Sequence, residues 1–128
     1  MARKVVHSDN APKAIGPYSQ AVQVDAGKMT FLSGQIPLDY TTMELVQGDV
    51  VAQTEQVMKN LEAVLKAAGL DFSHVVRCTI FLTDLGDFAK VNEVYGRYFT
   101  GAPPARATVQ VAALPRGSKV EIDAIAVS

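Results

Sequence analysis

Cysteine and histidine are scarce in this chain, and their scarcity argues against several kinds of site. Cys78 is the single cysteine, so an intramolecular disulfide cannot form, which suits a reducing compartment. His7 and His74 lack the spacing of metal ligands, and no second cysteine could join them, so we expect no metal site. Because Cys78 lies within an apolar segment, it is predicted to be a small core residue rather than a nucleophile.

Strong net charge and long apolar runs are also lacking. The formal net charge is −1, so bulk electrostatics give no support for nucleic-acid or membrane partners. No apolar run approaches the roughly 20 residues of a membrane span, and residues 1–18 contain no signal-peptide core. We therefore expect a cytoplasmic protein, and 128 residues ordinarily form one domain, here 1–128.

The first half of the chain predicts three short strands followed by an amphipathic helix. The strands are expected at Arg3–Val6, Ser19–Asp25 and Met29–Ser33, and the last two are predicted to form a hairpin. Its turn is Ala26-Gly27-Lys28. The helix should begin after Asp49, a suitable N-cap, and end before Gly69. Its apolar stripe recurs at steps of four and three residues. The stripe consists of Val50, Thr54, Val57, Leu61, Val64 and Ala68.

The second half predicts a strand, a helix and two further strands. Ser73–Leu82 is rich in β-branched residues, which is typical of a central strand. The second helix is expected at 87–99. Its apolar face consists of Phe88, Val91, Tyr95 and Tyr98. One sheet with both helices on one face accounts for this order. The other face would then expose more apolar surface than a monomer usually does, which predicts self-association.

Charged side chains interrupt the two C-terminal strands, Ala105–Val111 and Lys119–Val127. Arg106 lies in the first strand, and Glu121 and Asp123 lie in the second. A buried charge is costly unless it is paired or used, so this conflict is an indication of function. If the strands are antiparallel neighbours, their register places Arg106 and Glu121 either on one face or on opposite faces. In the second case a shared pocket needs another subunit. The plainer alternative is a solvated face of an edge hairpin.

Five segments together resemble the Rid (YjgF/YER057c/UK114) family. They are IGPYSQAV at 15–22, LSGQIP at 32–37, FAKVNEVY at 88–95, PPAR at 103–106 and KVEIDAIAV at 119–127. The resemblance is closest to the RidA subgroup and covers essentially the whole chain. It implies a chorismate-mutase-like (bacillus type) α+β fold, in which a mixed six-stranded sheet carries two helices on one face. It also implies a homotrimer with inter-subunit active sites.

RidA proteins hydrolyse reactive 2-enamino and 2-imino acids, such as the 2-aminoacrylate that PLP-dependent dehydratases release, and they use no cofactor. The resemblance thus implies a 2-iminobutanoate/2-iminopropanoate deaminase that yields 2-keto acids and ammonia. Arg106 matches the arginine that binds the substrate carboxylate, for which a planar guanidinium offers two parallel donors. Glu121 matches the acid that positions water and moves protons. Ser33, Gly34 and Asn92 match residues that bind substrate in the pocket.

Two further residues complete the implied site. Tyr18 matches a pocket residue that can supply a hydroxyl, and Thr108 stands where many RidA proteins have cysteine. We expect activity to survive this replacement, because the rest of the motif is present and the backbone carbonyl at 108 can hold the water. If the thiol were used, or the shape of the pocket depended on it, the substrate range would change. Two other functions stay open: a non-catalytic trimer that binds keto acids or amino acids, and, less favoured, an endoribonuclease or translation inhibitor. Glu121 discriminates the enzyme from the binder, because only the enzyme needs that acid.

Overall fold

A computed structural model describes residues 3–25 and 27–128, and this part of the chain contains six strands and two α-helices. The strands are β1 (Arg3–Val6), β2 (Ala21–Val24), β3 (Met29–Gln35), β4 (Val75–Leu82), β5 (Ala105–Gln110) and β6 (Val120–Val127). The helices are α1 (Val50–Ala67) and α2 (Phe88–Gly96). The predicted α+β class is confirmed. No described helix combines the length and the apolar character that crossing a membrane requires.

The strands form two sheets rather than the single six-stranded sheet that the sequence predicts. β1 and β2 pair antiparallel as one sheet, and the other four strands lie in the order β3-β6-β4-β5. The predicted hairpin between 19–25 and 29–33 is therefore wrong, and Ala26 of its turn lies outside the described residues. The backbone of Lys28 instead exchanges hydrogen bonds of 2.9 and 3.0 Å with Ser128, so β3 starts against the end of β6.

The two C-terminal strands are not neighbours. β4 lies between them and pairs parallel with β5 and antiparallel with β6. Because parallel strands need a long connection, β4, α2 and β5 form a crossover unit. The connection from β5 to β6 contains a 3₁₀ turn, Pro115–Gly117, in which Arg116 has a φ of 62°. The edge hairpin considered for Arg106 and Glu121 is therefore wrong.

Helix α1 begins and ends where the sequence predicts. The Asp49 side chain accepts a hydrogen bond of 3.0 Å from a backbone N–H of the first turn. Gly69 follows the helix with a φ of 75°, a conformation that favours glycine. The buried face differs from the predicted stripe, because Met58 and Leu65 are buried whereas Val64 is 40% exposed. α1 contacts both the sheet and α2, so its buried face is wider than one stripe.

Helix α2 is shorter than predicted and ends at Gly96. Val91 and Tyr95 are buried in the core, as their spacing predicts. Phe88, at the start of the helix, remains 37% exposed. Tyr98 lies beyond the last turn, where its ring packs against that of Phe72 at the edge of the core. The aromatic run after Gly96 therefore serves packing rather than prolonging the helix.

The two faces of the four-stranded sheet differ in what covers them. One face is buried beneath the helices, and its residues on β6 are Val120, Ile122, Ala124 and Ala126. The opposite face, here called the uncovered face, exposes three large apolar side chains. They are Met29, Phe31 and Val109, with exposed fractions of 55%, 69% and 42%. Large contiguous apolar patches mark interaction surfaces, and Met29 and Phe31 lie together on β3, an edge strand of this sheet.

Asp49→Ala should destabilise the protein by about 1 kcal/mol, because it removes the acceptor that caps α1. Asp87→Ala is the matched control, since Asp87 occupies the N-cap position of α2 but its side chain makes no capping bond. Urea unfolding at one fixed protein concentration measures both changes, and the control should stay within about 0.5 kcal/mol of the parent. Equal losses in the two variants would contradict a specific cap at Asp49.

Candidate active site

Arg106 lies in β5 with its side chain on the helix-covered face of the sheet. Its in-register neighbour on β4 is Cys78, a core residue that is 1% exposed. In-register residues of adjacent strands point to the same side, so the guanidinium extends toward α2. There its Nη1 donates a hydrogen bond of 2.7 Å to Oδ1 of Asn92. The structure thus brings together two residues that the sequence assigns to substrate binding.

Three aromatic rings surround the Arg106 guanidinium. Its Cζ lies 5.2 Å from the ring centroid of Tyr95 and 5.6 Å from the centroids of Tyr18 and Phe88. Each such contact contributes roughly 0.5–2 kcal/mol, depending on how far it is desolvated. Tyr95 is fully buried, so it is a core residue, as predicted, and also supports the site from beneath. The rings restrict the guanidinium to one orientation.

The charge of Arg106 has no counter-charge within the described part of the chain. Burial lowers the pKa of its guanidinium from the usual value, although an arginine remains protonated at neutral pH. Its hydrogen-bond partner, Asn92, is neutral, and no carboxylate of the described residues forms an ion pair with it. A half-buried cation without a counter-charge is unfavourable by itself. The site is therefore electrostatically suited to a small anion.

Tyr18 reaches Arg106 because the loop that carries it is fastened to the chain before β5. The backbone N–H and the hydroxyl of Ser19 donate to the carbonyl oxygens of Pro104 and Pro103, at 3.1 and 2.5 Å. Gly16 lies beside the tyrosine ring, since a Cβ on it would come within 3.7 Å of that ring. A Cβ on Gly16 would come within 3.9 Å of Arg106 Nη2, so its absence leaves space beside that nitrogen.

Thr108 points to the same face of β5 as Arg106, since it is in register with the buried Ile80. Its Oγ1 is buried and has no hydrogen-bond partner among the described residues. Leaving such a hydroxyl unsatisfied costs about 1–3 kcal/mol, so a water or ligand is its expected partner. Nearby, burial raises the pKa of the Cys78 thiol to about 11. Cys78 is thus protonated at neutral pH, which agrees with its predicted role in the core.

Glu121 lies on β6 and contacts Gly34 on the neighbouring strand. The register between β3 and β6 shifts between Leu32 and Gln35, which places Ser33 and Gly34 in an irregular, exposed stretch of β3. A Cβ on Gly34 would lie 2.8 Å from the Glu121 carboxyl carbon, so a side chain at this position would displace the carboxylate from its present place. Glu121, Ser33 and Gly34 therefore form a second group of predicted site residues.

These two groups lie on opposite faces of the sheet within one chain. Glu121 is in register with Phe81 of β4, on the uncovered face, whereas Arg106 is in register with Cys78 on the helix-covered face. β4 also separates the two strands that carry them. Tyr18, Asn92, Thr108 and Arg106 form one group, and the structure does not bring Glu121 to it. Sequence alone left both placements open, because the strand order was unknown.

Two clefts elsewhere on the surface contain none of the predicted site residues. One, of about 410 Å³, has Arg3 at one wall and residues 71–73 and 98–102 at the others. The second, of about 650 Å³, lies along β1 and β2 and also includes Arg3. Sequence reasoning missed this arginine, because a single charge in a short N-terminal strand carries no distinctive pattern. It also assigned Phe88 and Tyr95 only to the core, although their spacing around Asn92 places them beside Arg106.

Comparison with known proteins gives consistent matches over nearly the whole chain. The family model described as Endoribonuclease L-PSP matches residues 8–128. A Myxococcus xanthus protein named DfrA is 89% identical over 128 residues, which cover 100% of this chain and 98% of that protein. A mouse protein named 2-iminobutanoate/2-iminopropanoate deaminase is 58% identical over 125 residues, covering 98% of this chain and 91% of the mouse protein.

A solved structure agrees with the sequence matches. The crystal structure of RidA from an Antarctic Psychrobacter species has a TM-score of 0.76 and 46% sequence identity. The match covers 98% of this chain and 99% of that one. The chain therefore belongs to the Endoribonuclease L-PSP family, which is also called the YjgF or Rid family.

Proposed function

We propose that this protein is a cofactor-independent deaminase that hydrolyses 2-imino acids and their 2-enamino tautomers to 2-keto acids and ammonia. The observation that carries the proposal is the half-buried Arg106 guanidinium, which is oriented by a neutral partner and lacks a counter-charge among the described residues. The deaminase name of the mouse relative, which is 58% identical, supports the same reaction.

Arg106 binds the substrate carboxylate. One N–H of Nη1 is committed to Asn92, and Nη2 lies beside the space that Gly16 leaves. The carboxylate takes the remaining donors, and its charge compensates the cation that burial destabilises. Asn92 is the orienting residue, because it fixes the guanidinium without neutralising it. A small planar acid is the ligand class that suits this single, restrained cation.

Glu121 acts from a neighbouring subunit. Within one chain it lies on the face opposite Arg106, so a common pocket requires a second copy. The uncovered face, with its exposed Phe31 and Met29, supplies an apolar surface that association would bury. We propose a homotrimer in which Glu121, Ser33 and Gly34 of one subunit complete the site of the next.

The reaction then needs only positioning and proton transfer. An enamino acid first gains a proton on its β-carbon and becomes the protonated imine. Water adds to C2 while Glu121 accepts one of its protons, which gives a carbinolamine. The nitrogen takes that proton back from Glu121, and as the C–N bond breaks the carbinolamine hydroxyl releases its own proton, so that ammonia leaves and the 2-keto acid remains. Thr108 and Tyr18 provide hydroxyls that hold the water and relay protons, and general acid–base catalysis of this kind contributes roughly 10²–10⁴-fold.

The source of such a substrate is a reaction that eliminates a group from an amino acid and releases an enamine. PLP-dependent serine and threonine dehydratases perform this chemistry, so we propose a functional link to them. No cofactor is needed, because imines already hydrolyse in water. The protein only has to hold the imine and the attacking water in the correct relative position.

Arg106→Lys should raise KM and lower kcat/KM roughly 10–100-fold, because lysine keeps the charge but loses the second parallel donor and its bond to Asn92. Arg97→Lys is the matched control, since Arg97 is an exposed arginine whose partner is Glu55. Steady-state assays that generate 2-aminoacrylate with a dehydratase and follow release of pyruvate give both constants. Unchanged kinetics of Arg106→Lys would rule out carboxylate binding by this residue.

Glu121→Gln should lower kcat by roughly 10²–10⁴-fold while a 2-keto acid product binds with nearly unchanged affinity. Glutamine keeps the size of the side chain beside Gly34 but cannot accept a proton. Single-turnover rates and calorimetric binding of 2-ketobutanoate separate the two effects. If the parent protein does not accelerate imine hydrolysis and Glu121→Gln binds the keto acid equally well, the non-catalytic binder is the better description.

Phe31→Asp should disrupt the assembly. Phe31 is 69% exposed on the uncovered face, and burying a charged side chain there between subunits is unfavourable. Tyr40→Asp is the control, since Tyr40 is 82% exposed and lies outside the sheet. Sedimentation at micromolar concentration should show smaller particles only for Phe31→Asp, with deaminase activity falling in parallel. An active monomer would contradict the shared site.

A further inference from the structure

The cleft of about 410 Å³ beside Arg3 has no role in the proposed deaminase reaction. Three separate parts of the chain meet there: β1, the 3₁₀ turn Phe72–His74 that precedes β4, and the segment 98–102 that precedes β5. Its volume lies within the range of about 300–1,000 Å³ that is typical of small-molecule sites. None of its lining residues belongs to the candidate active site.

The apolar part of this cleft is a cluster of aromatic rings. The ring centroid of Phe72 lies 5.4 Å from those of both Tyr98 and Phe99, with interplanar angles of 59° and 76°. The rings are partly buried and pack against the core, so they form a firm wall. Tyr98 is further fixed because its hydroxyl donates a hydrogen bond of 3.0 Å to Glu55. Such a wall suits a flat or branched apolar group.

The cationic part of the cleft is the Arg3 guanidinium, which bridges two of its walls. Nη1 donates to the carbonyl oxygen of Ser73 at 2.7 Å, and Nη2 donates to that of Ala102 at 3.0 Å. Each terminal nitrogen keeps a second N–H. Burial lowers the pKa of Arg3, and no carboxylate of the described residues forms an ion pair with it. Both observations favour an anion beside this guanidinium.

The anionic part of the cleft is the Asp71 carboxylate, held in one position. Its Oδ1 accepts hydrogen bonds from the hydroxyl and the backbone N–H of Ser73, and these bonds lower the pKa of Asp71. The side chain is 72% exposed, so its other oxygen remains available. Asp71 and Arg3 both contact Ser73, which keeps the two opposite charges at one end of the aromatic wall.

We propose that this cleft binds a free α-amino acid with an aromatic or branched apolar side chain. The carboxylate of the ligand pairs with Arg3, its ammonium group pairs with Asp71, and its side chain packs on the rings of Phe72, Tyr98 and Phe99. A guanidinium, a carboxylate and an apolar wall in one cavity match the three parts of such a zwitterion. The site is independent of the deaminase function.

The test is an amide NMR titration of the full-length assembly with L-phenylalanine. 3-Phenylpropanoate, which lacks the ammonium group, and phenethylamine, which lacks the carboxylate, are the comparison ligands. Saturable shifts at 71–73 and 98–102 that are strongest for L-phenylalanine are expected. Asp71→Asn should weaken L-phenylalanine about fivefold, the effect of one exposed ion pair, and leave 3-phenylpropanoate unchanged, because asparagine still accepts the bonds from Ser73.

Two variants separate this site from the active site and from a general loss of structure. Arg106→Gln should leave the shifts in the cleft unchanged, whereas Arg3→Gln should abolish them while the deaminase rate stays near that of the parent. The proposal is overturned if the cleft amides do not respond, if all three ligands bind equally, or if Arg106→Gln removes the response.

Discussion

The half-buried charge of Arg106 is the constraint on which the rest of the site depends. Its guanidinium is surrounded by three rings and oriented by Asn92, yet the described part of the chain supplies no counter-charge. A cation in that position is stable only if the surrounding structure restrains it and an anion or water compensates it. The fold provides the restraint: α2 supplies Asn92 and Tyr95, and the loop anchored at Ser19 supplies Tyr18. The substrate carboxylate of the proposed reaction would meet the remaining requirement.

The position of β4 determines how the site can be completed. Because β4 lies between β5 and β6, and because side chains alternate along each strand, Arg106 and Glu121 face opposite sides of the sheet. A single chain therefore holds two incomplete halves of the proposed site. Association of subunits through the uncovered face would bury its exposed apolar residues, which favours self-association. Catalysis and assembly would then both depend on the position of β4 between β5 and β6.

Local patterns predicted the boundaries of α1 well, the end of α2 less well and the strand pairing poorly. The cap at Asp49 and the glycine at 69 act within one turn of α1, so the residues nearby determine where the helix begins and ends. β2 and β3 do not pair as the expected hairpin: β2 pairs with β1, and β3 pairs with β6, a partner distant in sequence. The alternation of side chains along a strand shows which residues share a face. Only the pairing of that strand with its neighbours decides which face packs against the helices.

The sequence by itself determined the α+β class, the boundaries of α1, and the residue types suited to binding a small acid, since these depend on neighbouring positions and on the resemblance of five segments. It also indicated that Arg106 and Asn92 belong to one site. Only the tertiary structure decided that Glu121 faces away from Arg106, and that Arg3, Asp71 and three rings share a second cleft. Those placements depend on contacts between residues far apart in the chain, which no local pattern specifies.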